Sequence, residues 1–251
     1  MSLRIIAKLD VKPPYVIKPV HFEGWRKMGF PGDLAGKYYA QGADEIIYID
    51  IVASLFQREI LYSHIETASK SLFIPLGVGG GVRSIDDFSR LFHSGADKVM
   101  LNTFAVQEDA NIIRAAAEVF GSQSVVVNVE AKKWEKNWEC YTDCGRIQSN
   151  KDVLTWVKEV EALGAGEIMI QSVDQDGRQN GFDVELITKV IEQVNIPVIA
   201  ASGAGTLAHI LEVAKVAKPD AIAIASILHY NKTTIGEIKQ FLLDNDIKVS
   251  I

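Results

Sequence analysis

"VGGGVRSIDDFSRLFHSGADKVMLNT" (78–103) and "ASGAGTLAHILEVAKVAKPDAIAIAS" (201–226) run through the same order of features. Each has a Gly-rich turn, a helical pattern, a second turn, an Asp, a short apolar run and a small polar residue. Aligning Gly81 with Gly203 sets an offset of 122 residues. "AKLDVK" (7–12) and "NVEAKK" (128–133) align at nearly the same offset, 120, through Asp10 and Glu130. An internal repeat of this length points to two equivalent halves.

Outward from these stretches, short apolar, β-branched runs recur at Arg4–Asp10, Glu45–Asp50, Phe73–Val78, Asp97–Leu101, Ser124–Val129, Glu167–Ser172, Ile196–Ala201 and Asp220–Ala225. Helical spacing falls between them near 33–42, 57–70, 84–95, 108–120, 150–163, 183–194, 206–216 and 233–244. Strands that alternate with helices pair in parallel, because each helix supplies the crossover. Eight such units in 251 residues predict a single α/β domain, a (β/α)₈ TIM barrel over residues 1–251. Its half-barrels are roughly 1–122 and 123–251. A doubly wound sheet is disfavoured, since no strand–helix turn carries the GxGxxG fingerprint.

Composition narrows the function. Hydrophobic residues are 48% and charged residues 23%, which is ordinary globular usage. The net charge of −6 argues against nucleic-acid and membrane-surface partners, yet leaves room for a locally positive anion site. The start "MSLRIIAKLD" reads as no signal peptide, and no apolar run reaches the ~18 residues of a membrane span, so a cytoplasmic protein is expected. Cys140 and Cys144 are too few for a zinc site and read as loop thiols of a reducing compartment; no metal and no cofactor is expected.

Three glycines in a row cost backbone entropy, so the turn at Gly79–Gly81 should serve a close approach. Gly80, Gly81, Asn102 and Thr103 can aim backbone N–H groups at one anion, and Ser202, Gly203, Ala225 and Ser226 can do the same in the second half. Two cradles across one barrel mouth imply an elongated, phosphorylated small-molecule substrate with a phosphate at each end. Asp10 and Glu130 end equivalent strands between them, and carboxylates in unequal environments suit acid and base work. Lys18 can pair with a phosphate or a carboxylate. Asp50, Ser172, Asp174, Asp176 and Gly177 also end or follow strands at the mouth. At the opposite end Arg4, Glu45, Lys98 and Glu167 lie at strand starts, two cations and two anions that fit a stabilising plug or a gated passage.

The stretches "RIIAKLDVK", "GVGGGV", "GADKVMLNT", "FGSQSVVV", "GAGEIMIQSVDQDG" and "ASGAG" carry a resemblance, over essentially the full chain, to the cyclase subunit of imidazole glycerol phosphate synthase in histidine biosynthesis. The resemblance implies a half-barrel-repeat (β/α)₈ lyase that receives ammonia from a glutaminase subunit docked on the barrel bottom. The ammonia would pass through the core to cleave and cyclise a ribulosyl bisphosphate. It also implies that Asp10 and Glu130 are the acid/base pair, that the cradles hold two phosphates, and that Arg4, Glu45, Lys98 and Glu167 form the ammonia gate.

Departures from the family pattern cluster at the mouth. Glu130 stands where the family has Asp, Lys8 where it has Cys, Gln171 where it has Thr and Ser202 where it has Gly. Pro13, Pro14 and Tyr15 replace Asp-Gly-Arg, and Pro19 replaces Gly. One added methylene moves the Glu130 carboxyl by ~1 Å, which matters for a positioned catalyst. A retained ammonia end with an altered substrate end fits a diverged histidine enzyme. It also fits a paralogue that amidates or amidinates a sugar or nucleotide sugar for surface polysaccharide. Further alternatives are a non-catalytic barrel that activates a glutaminase and a sugar isomerase.

Overall fold

A computed structural model of the chain describes residues 2–20, 23–54, 56, 60 and 62–250. Twelve strands and ten α-helices are assigned among them. In chain order they are β1 (Arg4–Lys12), β2 (Tyr15–Val20), β3 (Glu23–Gly29), α1 (Pro31–Ala40), β4 (Glu45–Asp50), α2 (Tyr62–Ser69), β5 (Leu76–Gly79), α3 (Ile85–His93), β6 (Lys98–Leu101), α4 (Thr103–Gln107) and α5 (Asn111–Phe120). The second half holds β7 (Val125–Trp134), β8 (Asn137–Thr142), β9 (Ile147–Asp152), α6 (Val153–Ala162), β10 (Glu167–Ser172), α7 (Val184–Ile191), β11 (Val198–Ala201), α8 (Leu207–Val216), β12 (Ala221–Ile224), α9 (Ser226–His229) and α10 (Ile235–Leu243).

Eight of the strands pair in parallel in the order β1–β4–β5–β6–β7–β10–β11–β12, and β12 returns to β1. This closed ring with its outer helices is the expected (β/α)₈ barrel. The two members of the repeat, β1 and β7, sit four strands apart and therefore face each other across the ring. Both run past the barrel and turn back into antiparallel hairpins, β2–β3 after β1 and β8–β9 after β7.

Period-2 alternation sorts each strand into an outer and an inner face. Outward residues such as Ile5, Leu9, Val99, Val127 and Ile168 pack under the helices, whose buried stripes include Phe88 and Leu91 of α3 and Leu186 and Val190 of α7. Inward residues Ile6, Ile47, Met100, Val126, Met169 and Ile199 fill the middle of the barrel. Burying each such side chain contributes roughly 1.5–3 kcal/mol. Asp44, Asp97 and Asp220 recur before strands and accept the backbone N–H of Ile5 (2.7 Å), Leu76 (2.8 Å) and Val198 (2.9 Å) on neighbouring strands. Side-chain caps from Ser84, Asp152, Asp183, Thr206 and Thr234 start five of the helices.

The elements differ from the sequence expectation in four respects. The third run begins at Leu76 rather than Phe73, because Phe73 lies 83% exposed in the loop before the strand. The short helices α4 and α9 were not anticipated, having too few residues to show a helical period. Between the first strand and the first helix, where no strand was expected, lies the β2–β3 hairpin, with Lys18 in β2. Cys140 lies within β8, while Cys144 lies in the β8–β9 turn; both are buried free thiols. Part of the helix expected near 57–70 falls outside the described residues, which carry α2 from Tyr62.

Candidate active site

The carboxyl ends of the barrel strands open into a cavity of ≈ 340 Å³ that holds both Asp10 and Glu130. Its wall includes the first cradle, Gly79–Gly81 with Asn102 and Thr103, together with Asp50. Gly80 is required here: its φ is +101°, and a Cβ would lie 2.2 Å from the Asp50 carbonyl oxygen. The second cradle, Ser202, Gly203, Ala225 and Ser226, lines a separate and much smaller space of ≈ 20 Å³ with Lys18, Asp176 and Gly177. Gly203 is likewise obligatory, at φ +106° with a Cβ that would meet the Gly181 carbonyl oxygen at 2.0 Å. Ser202 holds the left-handed φ of 73° with a side chain attached, and its hydroxyl reaches Asp176 at 3.5 Å.

Asp10 is fully buried between two cations. Lys8, two residues earlier on the same inward face, ion-pairs with Oδ1, and Lys18 lies 3.4 Å from Oδ2. Lys18 also bridges to Asp176 at 3.2 Å, so Lys8, Asp10, Lys18 and Asp176 make one buried chain of alternating charge. Burial alone raises the Asp10 pKa, but the Lys8 and Lys18 cations outweigh it and bring the carboxyl down to about 2.

Glu130 has a different environment. Its Oε2 accepts the Gly145 N–H at 2.7 Å from the β8–β9 turn, and the Asn102 side chain also hydrogen-bonds to it. Burial dominates over these bonds and pushes the carboxyl up to about 7. Two carboxylates facing each other across the ring are thus held on opposite sides of their ordinary range, the arrangement that separates acid from base. The turn that supplies Gly145 also places the Asp143 N–H on Thr103 Oγ1 (3.2 Å) and the Cys144 thiol on the Ile51 carbonyl (2.9 Å).

Not every expected mouth residue faces a cavity. Asp174 accepts the Lys133 backbone N–H at 2.8 Å, which gives it a structural bond at the top of β7. Ser172 is buried at the end of β10 and lines neither space. Asp50 lines the larger cavity and accepts the Val52 N–H at 3.2 Å. Asn128 was missed: it lies two residues before Glu130, as Lys8 lies two before Asp10, and period 2 alone puts it on the same inward face. No group of three or more metal-ligating side chains occurs among the described residues.

At the other end of the barrel Arg4, Glu45, Lys98 and Glu167 close into a ring. Arg4 bonds Glu45 at 3.0 Å and also Glu167, while Lys98 reaches both carboxylates at 2.8 Å. Both glutamates are buried, and Arg4 and Lys98 are partly exposed.

A closed (β/α)₈ barrel with glycine-requiring turns and two opposed carboxylates at its mouth defines a TIM-barrel enzyme. Residues 4–234 match the family described as histidine biosynthesis protein, and the chain belongs to that family. It is 46% identical over 246 residues to the imidazole glycerol phosphate synthase subunit HisF of Saccharolobus solfataricus, covering 98% of each chain. The HisF subunit of Pyrococcus furiosus is 43% identical over 251 residues (100% of this chain, 99% of its own). That of Lactococcus lactis is 44% identical over 253 residues (100% and 97%).

Proposed function

We propose that the chain is the cyclase subunit of an imidazole glycerol phosphate synthase in histidine biosynthesis, and that it joins ammonia to a ribulosyl bisphosphate. The observation that carries the chemistry is the pair of opposed carboxylates, Asp10 between two cations and Glu130 under the Gly145 N–H, beside the first phosphate cradle. Asp10 stays ionised and orients or stabilises positive charge on the substrate. Glu130, poised near neutral pH, takes and returns a proton. The cradles at Gly80–Gly81 and Asn102–Thr103, and at Gly203 and Ser226, receive the phosphates through backbone N–H groups.

Ammonia comes from a glutaminase partner on the bottom face and enters through the ring of Arg4, Glu45, Lys98 and Glu167. On that face Phe73 is 83% exposed with the Tyr39 ring at 6.4 Å, an apolar anchor for a docked protein. No helix of the described residues is long and apolar enough to cross a membrane. The deciding experiment is turnover of the ribulosyl bisphosphate with ammonium salt at alkaline pH and no partner. Release of imidazole glycerol phosphate supports the reading, and its absence defeats it.

One observation favours a second reading. Lys18 bridges Asp10 and Asp176 at the second cradle, which keeps only ≈ 20 Å³ there against ≈ 340 Å³ at the first. A ligand with phosphate at one end, such as a nucleotide sugar amidated by the same ammonia, would occupy the larger cavity without displacing Lys18. Binding of a nucleotide sugar in preference to the bisphosphate would select it.

A further inference from the structure

Three side-chain amide oxygens at the mouth are buried with no hydrogen-bond partner among the described residues: Asn102 Oδ1, Asn128 Oδ1 and Gln171 Oε1. All three residues line the ≈ 340 Å³ cavity. Asn128 and Gln171 are 6% and 2% exposed, so water outside the barrel does not satisfy them. They stand on adjacent strands: Met169 pairs with Asn128 and Gln171 with Glu130, which places the two amides as diagonal neighbours on the inner face. Met169 lies beside Asn128, and Met100 and Val126 of the same apolar layer lie below it. A buried acceptor without a donor is costly, and a set of them at one place calls for a ligand that brings donors.

The nearby charged and backbone donors are already engaged. Lys8 commits to Asp10, the Asn102 side chain is engaged with Glu130, and Gly145 gives its N–H to Glu130. A small nitrogen with several N–H groups fits what is left. The Lys8 ammonium lining the same cavity disfavours a second cation, so the neutral amine is the form that fits.

The geometry points to Asn128 and Gln171 as the receiving site for the reacting nitrogen, where their oxygens accept the N–H groups of ammonia as it leaves the apolar layer. The lone pair is then left free toward the mouth. This inference rests on the cyclase reading for the source of the ammonia, but it concerns residues that the acid/base pair does not include. Both side chains are positioning groups for the nucleophile and move no proton themselves.

The test is steady-state turnover of the ribulosyl bisphosphate with ammonium chloride at alkaline pH, using the shape-conserving variants Asn128→Leu and Gln171→Met. The expected result is a KM for ammonia raised about fivefold or more in each, with the KM for the bisphosphate within about twofold of the parent. An unchanged ammonia KM overturns the inference. So does a raised bisphosphate KM at constant ammonia KM, which would assign the oxygens to N–H groups of the substrate itself. Should the parent chain fail to turn over the bisphosphate, the cyclase reading falls and the site is read by crystallography instead. Crystals soaked in methylamine at high pH should show its nitrogen between the two oxygens in the parent and not in the double variant. Ordered water alone in the parent would overturn the site.

Discussion

The two ends of the barrel handle buried charge in opposite ways. At the bottom two cations and two anions form a closed ring in which every member bonds to both neighbours. At the mouth the pairing is lopsided. Asp10 has two cations against it, whereas Glu130 is held by a backbone N–H and an amide, and three amide oxygens nearby have no partner among the described residues. Both ends bury two carboxylates, so the difference is in how those carboxylates are paired. The bottom ring satisfies itself, while the mouth leaves acceptors unpaired among the described residues. The split of the two carboxylates, about 2 for Asp10 and about 7 for Glu130, is the electrostatic record of that asymmetry.

The largest effect is expected where the mouth is most strongly paired. Asp10→Asn keeps the shape of the side chain but removes the charge that Lys8 and Lys18 enclose, leaving two buried cations without their shared anion. Turnover should fall by about a thousandfold or more, with ligand binding within about tenfold, as read by single-turnover kinetics and calorimetry. A variant that keeps more than a tenth of the activity would remove Asp10 from the chemistry.

How much of this was legible follows the length and period of each signal. The runs Glu45–Asp50 and Glu167–Ser172 coincide with β4 and β10, because each short apolar run is bounded by polar residues, Glu45 and Asp50 in one and Glu167 and Ser172 in the other. The repeat of the Gly-rich turns located two positions, Gly80 and Gly203, where a close backbone approach permits only glycine. The Lys18 bridge was not legible: it depends on a hairpin whose first strand contains Lys18 and on Asp176, 158 residues away. The Lys8–Asp10 pair was within reach of period 2, which puts both on one face, but nothing in the chain says that a strand lysine will turn back onto its neighbour. The unequal size of the spaces beside the two Gly-rich turns is a packing outcome that no local pattern encodes.

Breaking the bottom ring should have an intermediate effect and a different signature. Lys98→Ala removes the one cation that contacts both buried glutamates besides Arg4. If the ring is a gate, glutamine-dependent product formation should change by about tenfold while turnover with free ammonium, entering from the mouth, persists. If the ring only plugs the barrel, loss of a buried partner should cost about 3–5 kcal/mol of stability and reduce both activities in parallel. Measuring the two activities alongside a urea midpoint separates the outcomes. Parallel loss with early melting would defeat the gate and weaken the expectation of a docked glutaminase.

The smallest effect tests whether the mouth's electrostatics are read correctly, through stability against pH. Glu130 is raised from 4.5 to about 7 on folding, so between those values the folded chain binds the extra proton and stability falls as pH rises. His229 behaves oppositely. Its ring Nδ1 lies 2.7 Å from the Tyr38 hydroxyl and its Nε2 is cut off from solvent. Burial, then the Lys18 cation against an opposing pull from Asp10, with Lys8 adding less, lower its pKa from 6.5 to about 4. Between about 4 and 6.5 the unfolded chain therefore binds the extra proton at this group, and its contribution makes stability rise with pH. The two slopes oppose each other across the shared window from 4.5 to 6.5. Glu130→Gln should expose the His229 slope, with stability increasing by about 2–3 kcal/mol across that window relative to the parent's own change. His229→Gln should expose the Glu130 slope, with a relative decrease of similar size. Asp10, lowered to about 2, contributes stability that is present above its unfolded value near 3.8 and is lost only as pH falls toward 2, outside the window. Urea unfolding of the parent and both variants from pH 4.5 to 6.5 checks the signs directly. Identical slopes in all three would mean that neither group carries the shift assigned to it, and the asymmetry between the two ends of the barrel would then be one of hydrogen bonding alone.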